Sequence, residues 1–128
     1  MRILLDTHVA LWAITDDVRL PELARGLILD SQNEIFVSAA SVWEIAIKHS
    51  LARHDMPVSG KQATAWFQVA GYVLLSISAI HAAAIEELPQ IHADPFDRLI
   101  VAQALTEPLR LLTHDQTVAR YNETIMLV

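Results

Sequence analysis

Short apolar runs alternate with stretches whose apolar positions recur every three or four residues, and this alternation continues along the whole chain. Residues 2–5 read as a first strand and 8–14 as a short helix. Pro21 suits the first position of a second helix (21–29), because the N–H it lacks would have no partner there. A second strand over 35–37 leads to a helix over 42–51, then to a loop over 53–60 that contains Pro57 and Gly60. A helix over 61–70 closes at Gly71, followed by a third strand at 72–75 and a helix at 79–88 that stops at Pro89. After a loop through Ile91 and His92, a helix over 96–106 is ended by Pro108. A fourth strand (109–112), a brief helix (117–121) and a last short strand (125–128) complete the order. No repeat, low-complexity tract or linker interrupts it, so residues 1–128 are expected to form one domain.

Strands that alternate with helices define an α/β domain with a mainly parallel sheet. A hydrophobic content of 53% and a mean hydropathy of +0.34 favour a sheet covered on both faces. In such sheets ligands bind beyond the carboxyl ends of the strands, where the strand order reverses. Four acids map to that edge. Asp6 and Asp115 lie just past strand ends, Glu44 opens the helix leaving the second strand, and Asp97 opens the helix that returns to the fourth.

Each acid also has an ordinary use. Ser41 and Glu44 are spaced as a capping box, and Glu44 can pair with Lys48 one turn later. Asp94 is a good cap for a helix begun by Pro95, with Asp97 favoured by the helix dipole. Asp6 and Asp115 can cap the helices that follow them. Capping, however, requires no common location. Two carboxylates 4 Å apart repel by roughly 4 kcal/mol at an effective dielectric of 20, so four in one crevice must hold protons or recruit a cation. Metal binding is the better reading, and oxygen ligands alone suit Mg²⁺ or Mn²⁺ rather than zinc.

Other chemistries find little support. The three glycines form no phosphate-binding loop, the six histidines show no zinc-hydrolase spacing, and there is neither cysteine nor a Gly-x-Ser-x-Gly turn. His8 and His114 are near the expected edge, as are Thr7 and Thr113, whose hydroxyls can bond a carboxylate or serve only as turn caps. Carboxylates that hold one or two Mg²⁺ ions suit phosphodiester hydrolysis, with no side-chain nucleophile needed. The net charge of −6 argues against tight general binding to nucleic acid, but it leaves catalysis open because bound cations offset the site. Lys48, Arg53 and Arg98 are candidates for phosphate contacts. With no signal-peptide core and no apolar stretch near the roughly 20 residues of a membrane span, a soluble, cytoplasmic protein is expected.

Four blocks, Leu4-Leu5-Asp6-Thr7-His8, the run from Ser38 to Ile45, Asp94-Pro95-Phe96-Asp97-Arg98-Leu99 and Leu112-Thr113-His114-Asp115, together resemble PIN-domain ribonucleases, and most nearly the VapC-like toxins of toxin–antitoxin pairs. The resemblance spans essentially the whole chain. It implies a three-layer α/β/α domain with a central, mainly parallel sheet of four to five strands. It also implies Mg²⁺- or Mn²⁺-dependent endoribonuclease activity, with Asp6, Glu44, Asp97 and Asp115 as catalytic metal ligands. The expected partners are RNA with an exposed loop, a small cognate antitoxin and a second copy of the chain. Trp12, Trp43 and Trp66 lie on apolar helical stretches and suit such apolar contacts, although core packing is the simpler use of any one of them. Rival readings are a housekeeping RNA-processing nuclease, a non-catalytic interaction module of the same fold, and a phosphoacceptor receiver domain. The receiver is disfavoured because Asp6 stands alone, the third strand ends without an acid, and no lysine follows Lys61.

Overall fold

A computed structural model describes residues 1–128. Strand β1 (Arg2–Leu5) leads into helix α1 (Thr7–Ile14), and helix α2 (Glu22–Leu29) precedes strand β2 (Glu34–Ser38). Helices α3 (Ala39–Ser50) and α4 (Gly60–Val69) follow, then strand β3 (Val73–Leu75) and helix α5 (Ala79–Ala84). A 3-10 turn over Ile85–Glu87 leads on to helix α6 (Pro95–Thr106), strand β4 (Arg110–Thr113), helix α7 (Gln116–Ala119) and strand β5 (Met126–Leu127). All strand pairs are parallel, in the order β3-β2-β1-β4-β5.

Both faces of the sheet are covered. Along β1 the side chains alternate, so Ile3 and Leu5 join one apolar cluster with Val9, Ala24, Ile45 and Phe67, while Leu4 joins the other with Phe36, Ile100, Val101 and Leu111. Helices α1 to α4 supply the first layer and α6 and α7 the other, which gives the three-layer α/β arrangement. The chain builds β1-β2-β3 outward in one direction and then returns to place β4 on the other side of β1. The order therefore reverses between β1 and β4, and a crevice opens at their carboxyl ends.

Most elements agree with the sequence pattern to within a residue or two. Pro21 is the residue before the second helix and not its first. Gly71 at φ +85° completes a Schellman turn, with Gly71 N–H on Gln68 O and Tyr72 N–H on Phe67 O, both at 3.0 Å. The helix expected over 79–88 breaks into α5 and the 3-10 turn. The correction that matters concerns α3. It starts at Ala39, capped by Ser38, three residues before the expected start at 42, so Glu44 lies in its second turn and opens nothing.

Candidate metal centre

Asp6 leaves the end of β1 with its backbone N–H bonded to Leu112 O of the neighbouring strand at 3.1 Å. It caps α1 by accepting Val9 N–H at 2.9 Å on Oδ1, and its Oδ2 accepts the Thr113 hydroxyl. Thr113 in turn accepts Asp115 N–H at 3.0 Å, so one buried hydroxyl fixes the spacing of the two strand-end acids. Asp115 caps α7 through Thr117 N–H at 2.7 Å while its side chain stays partly exposed. The capping uses expected of Asp6 and Asp115 are real, and both residues also line the crevice.

Glu44 is held differently. Because α3 begins early, Glu44 cannot reach an N-terminal amide, and the Ser41–Glu44 capping box does not form; Ser41 instead meets the Thr7 hydroxyl at 2.9 Å. Glu44 is 4% exposed, with Oε2 bonded to Lys48 Nζ at 2.6 Å and Oε1 buried without any partner. An orphaned carboxylate oxygen in the interior is costly unless something positive completes it. Asp97 stands in the first turn of α6, behind the Asp94 cap and Pro95, as the sequence indicates.

Electrostatics bind the four into one neighbourhood. Burial, and then repulsion from Asp94, Asp6 and Glu44, push the Asp97 carboxyl up to about 7 against the opposing pull of His92. Burial also raises Asp6, and Asp115 adds to that rise although the Thr113 hydroxyl opposes it. Acids from β1, α3, α6 and the end of β4 thus feel one another directly. Their oxygens are hard donors, one of them lacks a partner, and like charges raise one another's affinity for protons. A hard divalent cation fits this donor set.

His92, in the loop before α6, joins the same group. Its Nε2 is 3.0 Å from Asp97 Oδ2 and 3.8 Å from Asp115 Oδ2. The sequence treats it only as a loop residue; the available signal is its place two residues before the Asp94 cap, which puts it over the first turn of α6. His8 and His114 are exposed and sandwich Trp12, at ring distances of 6.0 and 5.5 Å. Together with Asp6, Asp115 and Arg19 they line a shallow groove of about 470 Å³ that opens beside the acids. A larger concavity of about 640 Å³ lies between α3 and α4, around Val42, Ala46, His49 and Thr64, and carries no acid.

Of the bases expected to contact phosphate, Arg98 is not available. It is buried and donates to Pro89 O, Ile85 O and the Tyr121 hydroxyl, which makes it a brace for the loop before α6. Arg53 pairs with Asp55 at the surface, and Lys48 is engaged by Glu44.

A doubly covered parallel sheet with a carboxylate cluster where its strand order reverses defines a class of α/β protein whose acids could hold a cation at one edge. Within that class, the PIN-domain model matches residues 3–123, and the chain belongs to the PIN-domain family. It is 32% identical over 117 residues to Ribonuclease VapC22 of Mycobacterium tuberculosis, covering 89% of this chain and 87% of that protein. Among solved structures it is similar to VapBC2 from Rickettsia felis bound to a promoter DNA fragment, with a TM-score of 0.69 and 18% identity over 100% of this chain and 98% of that one. It is likewise similar to FitAcB from Neisseria gonorrhoeae, with a TM-score of 0.66 and 19% identity over 98% and 96%. At these identities the structural likeness speaks for the fold alone.

Proposed function

We propose that this chain is a single PIN-type nuclease domain over residues 1–128, a Mg²⁺- or Mn²⁺-dependent endoribonuclease that acts as the toxin of a toxin–antitoxin pair. The observation that carries this reading is the meeting of Asp6, Glu44, Asp97 and Asp115 at one sheet edge, with Glu44 Oε1 unpartnered and Asp97 raised to about 7. The name of the Mycobacterium relative supplies the ribonuclease class.

In this reading Asp6, Glu44, Asp97 and Asp115 hold the metal and are the catalytic residues. A bound divalent cation supplies an activated water and charge stabilisation at phosphorus. The chain's own contribution is positional. Thr113 sets the separation of Asp6 and Asp115, Lys48 fixes one oxygen of Glu44 and leaves the other without a partner, and the Asp94 cap with Pro95 aims Asp97. The acids repel a polyanion, and a cation held by Asp6, Glu44, Asp97 and Asp115 would offset that repulsion where RNA approaches.

The proposed partners are RNA with an exposed loop, a small cognate antitoxin and a second copy of the chain. The likeness to the VapBC2 and FitAcB structures motivates the antitoxin. Trp43 is 54% exposed and Trp66 41%, so neither tryptophan is spent on the core and both remain for such contacts. No helix is long and apolar enough to cross a membrane, and the proposed location is the cytoplasm.

The test is cleavage of folded RNA by wild type and Asp6→Ala, with Mg²⁺, with Mn²⁺ and with chelator. Metal-dependent cutting that Asp6→Ala abolishes is expected; cutting that survives chelation and substitution alike overturns the reading. Growth arrest on expression, relieved by an adjacent small open reading frame, separates a toxin from a housekeeping nuclease.

A further inference from the structure

We propose that His92 is a fifth ligand of the carboxylate site, a nitrogen donor beside Asp97 and Asp115 that biases the site toward Mn²⁺ over Mg²⁺. This rests on the metal reading above and adds to it a residue outside the four acids.

His92 Nε2, one oxygen of Asp97 and one of Asp115 all lie within 4.8 Å of one another. A histidine kept only to neutralise an acid needs one partner; this one faces two, presented by different elements, α6 and the cap of α7. The loop that carries it is braced from beneath. Tyr121 Oη accepts His92 N–H at 2.8 Å and donates to His92 O at 3.3 Å, so the phenol grips both backbone groups of this one residue. Arg98 steadies that phenol at 3.1 Å and ties down Pro89 O and Ile85 O of the same segment. Burying a guanidinium to hold a short loop is expensive, and its effect is to fix the position of the His92 backbone.

The ring is oriented as well. Asp94 N–H donates to Nδ1 at 3.4 Å, which turns Nε2 toward the two carboxylates. A cation would be held by Nε2 together with the facing oxygens of Asp97 and Asp115. The unpartnered Glu44 Oε1, on a side chain 4% exposed, is a second and separate sign that this neighbourhood suits a positive group. Imidazole nitrogen is a good donor to transition metals, whereas Mg²⁺ prefers oxygen throughout.

The experiment uses the full chain with Mn²⁺ alone as the probe. Electron spin-echo modulation of bound Mn²⁺ is expected to show directly coordinated ¹⁴N in wild type, to lose it in His92→Gln and to keep it in His114→Gln. Calorimetry is expected to show Mn²⁺ affinity falling about tenfold in His92→Gln with Mg²⁺ affinity changed less than about twofold. Mn²⁺ that binds wild type without nitrogen modulation, or variant losses equal for both ions, overturns the role of His92 and leaves the carboxylate site standing. Failure of wild type to bind Mn²⁺ at millimolar concentration overturns both. The wild-type spectrum decides the matter even if the variant folds poorly.

Discussion

Helix α6 carries Gln103 into one buried polar cluster and Asp97 into another. Around Gln103 every group is answered. Its Oε1 accepts the Ser38 hydroxyl, and its Nε2 donates to Ser76 O at 3.2 Å and to His81 Nδ1 at 3.3 Å. His81 Nδ1 also accepts Ser78 N–H, while Nε2 donates to Glu107 at 2.5 Å. Around Asp97 the like charges outnumber their partners, Glu44 keeps an unpaired oxygen, and the carboxyl of Asp97 is driven up to about 7. The same helix thus serves a network that is complete as it stands and one that is completed only by something from outside. The first specifies how β2, α5 and α6 fit together; the second is the proposed site.

Substitution in the unsatisfied cluster should have the largest effect, and on activity alone. Asp97→Asn is expected to reduce RNA cleavage by roughly 100-fold or more, the scale of one lost electrostatic group in an active site. The metal-free protein should melt no lower than wild type, because a like charge has gone. Parallel cleavage assays and melting curves check both halves.

Gln103→Leu should do the reverse. It strips the Ser38 hydroxyl and Ser76 O of their partner, with an expected loss of about 2 kcal/mol in denaturant unfolding and little change in cleavage per folded molecule. A loss below a few tenths of a kcal/mol would erase the distinction between the clusters.

A smaller effect follows from the titration of Asp97. The folded state keeps a proton between the ordinary carboxylate value of 3.8 and about 7 that the unfolded chain has released. Its stabilising contribution is therefore complete below about pH 4 and is lost as pH rises through about 7. The metal-free melting temperature should fall between pH 5 and pH 8. Millimolar Mg²⁺ should restore about 3 °C at pH 8 and less at pH 5, where a proton must first be displaced. Scanning calorimetry at the two pH values measures this.

Smallest is Ser59→Ala, which removes the capping box of α4, far from either cluster. It is expected to cost about 1 kcal/mol and leave cleavage unchanged.

The fold was readable because β1, β2 and β4 are apolar runs too short for helices, and α6 is framed by Asp94-Pro95 and Pro108. Asp6, Asp97 and Asp115 were readable for the same reason, since each sits at a boundary that the pattern marks. Glu44 was identified by a local reason that proved wrong. Two serines three residues apart, Ser38 and Ser41, both resemble caps, and only the packing of Ala40 against the sheet favours the earlier one. The Gln103 network was invisible because its members come from β2, α5, α6 and the loop after β3 and follow no period. His92 was invisible because a loop histidine has no periodicity, and what fixes its place is Tyr121, 29 residues away.

The central claim is that the acids at the β1–β4 crevice are held in a charge conflict that a divalent cation resolves. The most direct measurement is a pH titration of the Asp97 side chain by ¹³C carboxyl NMR, without metal and then with Mg²⁺. The account predicts a midpoint near the value of about 7, moving sharply downward when Mg²⁺ is added. An ordinary carboxylate midpoint that millimolar Mg²⁺ leaves in place would contradict it.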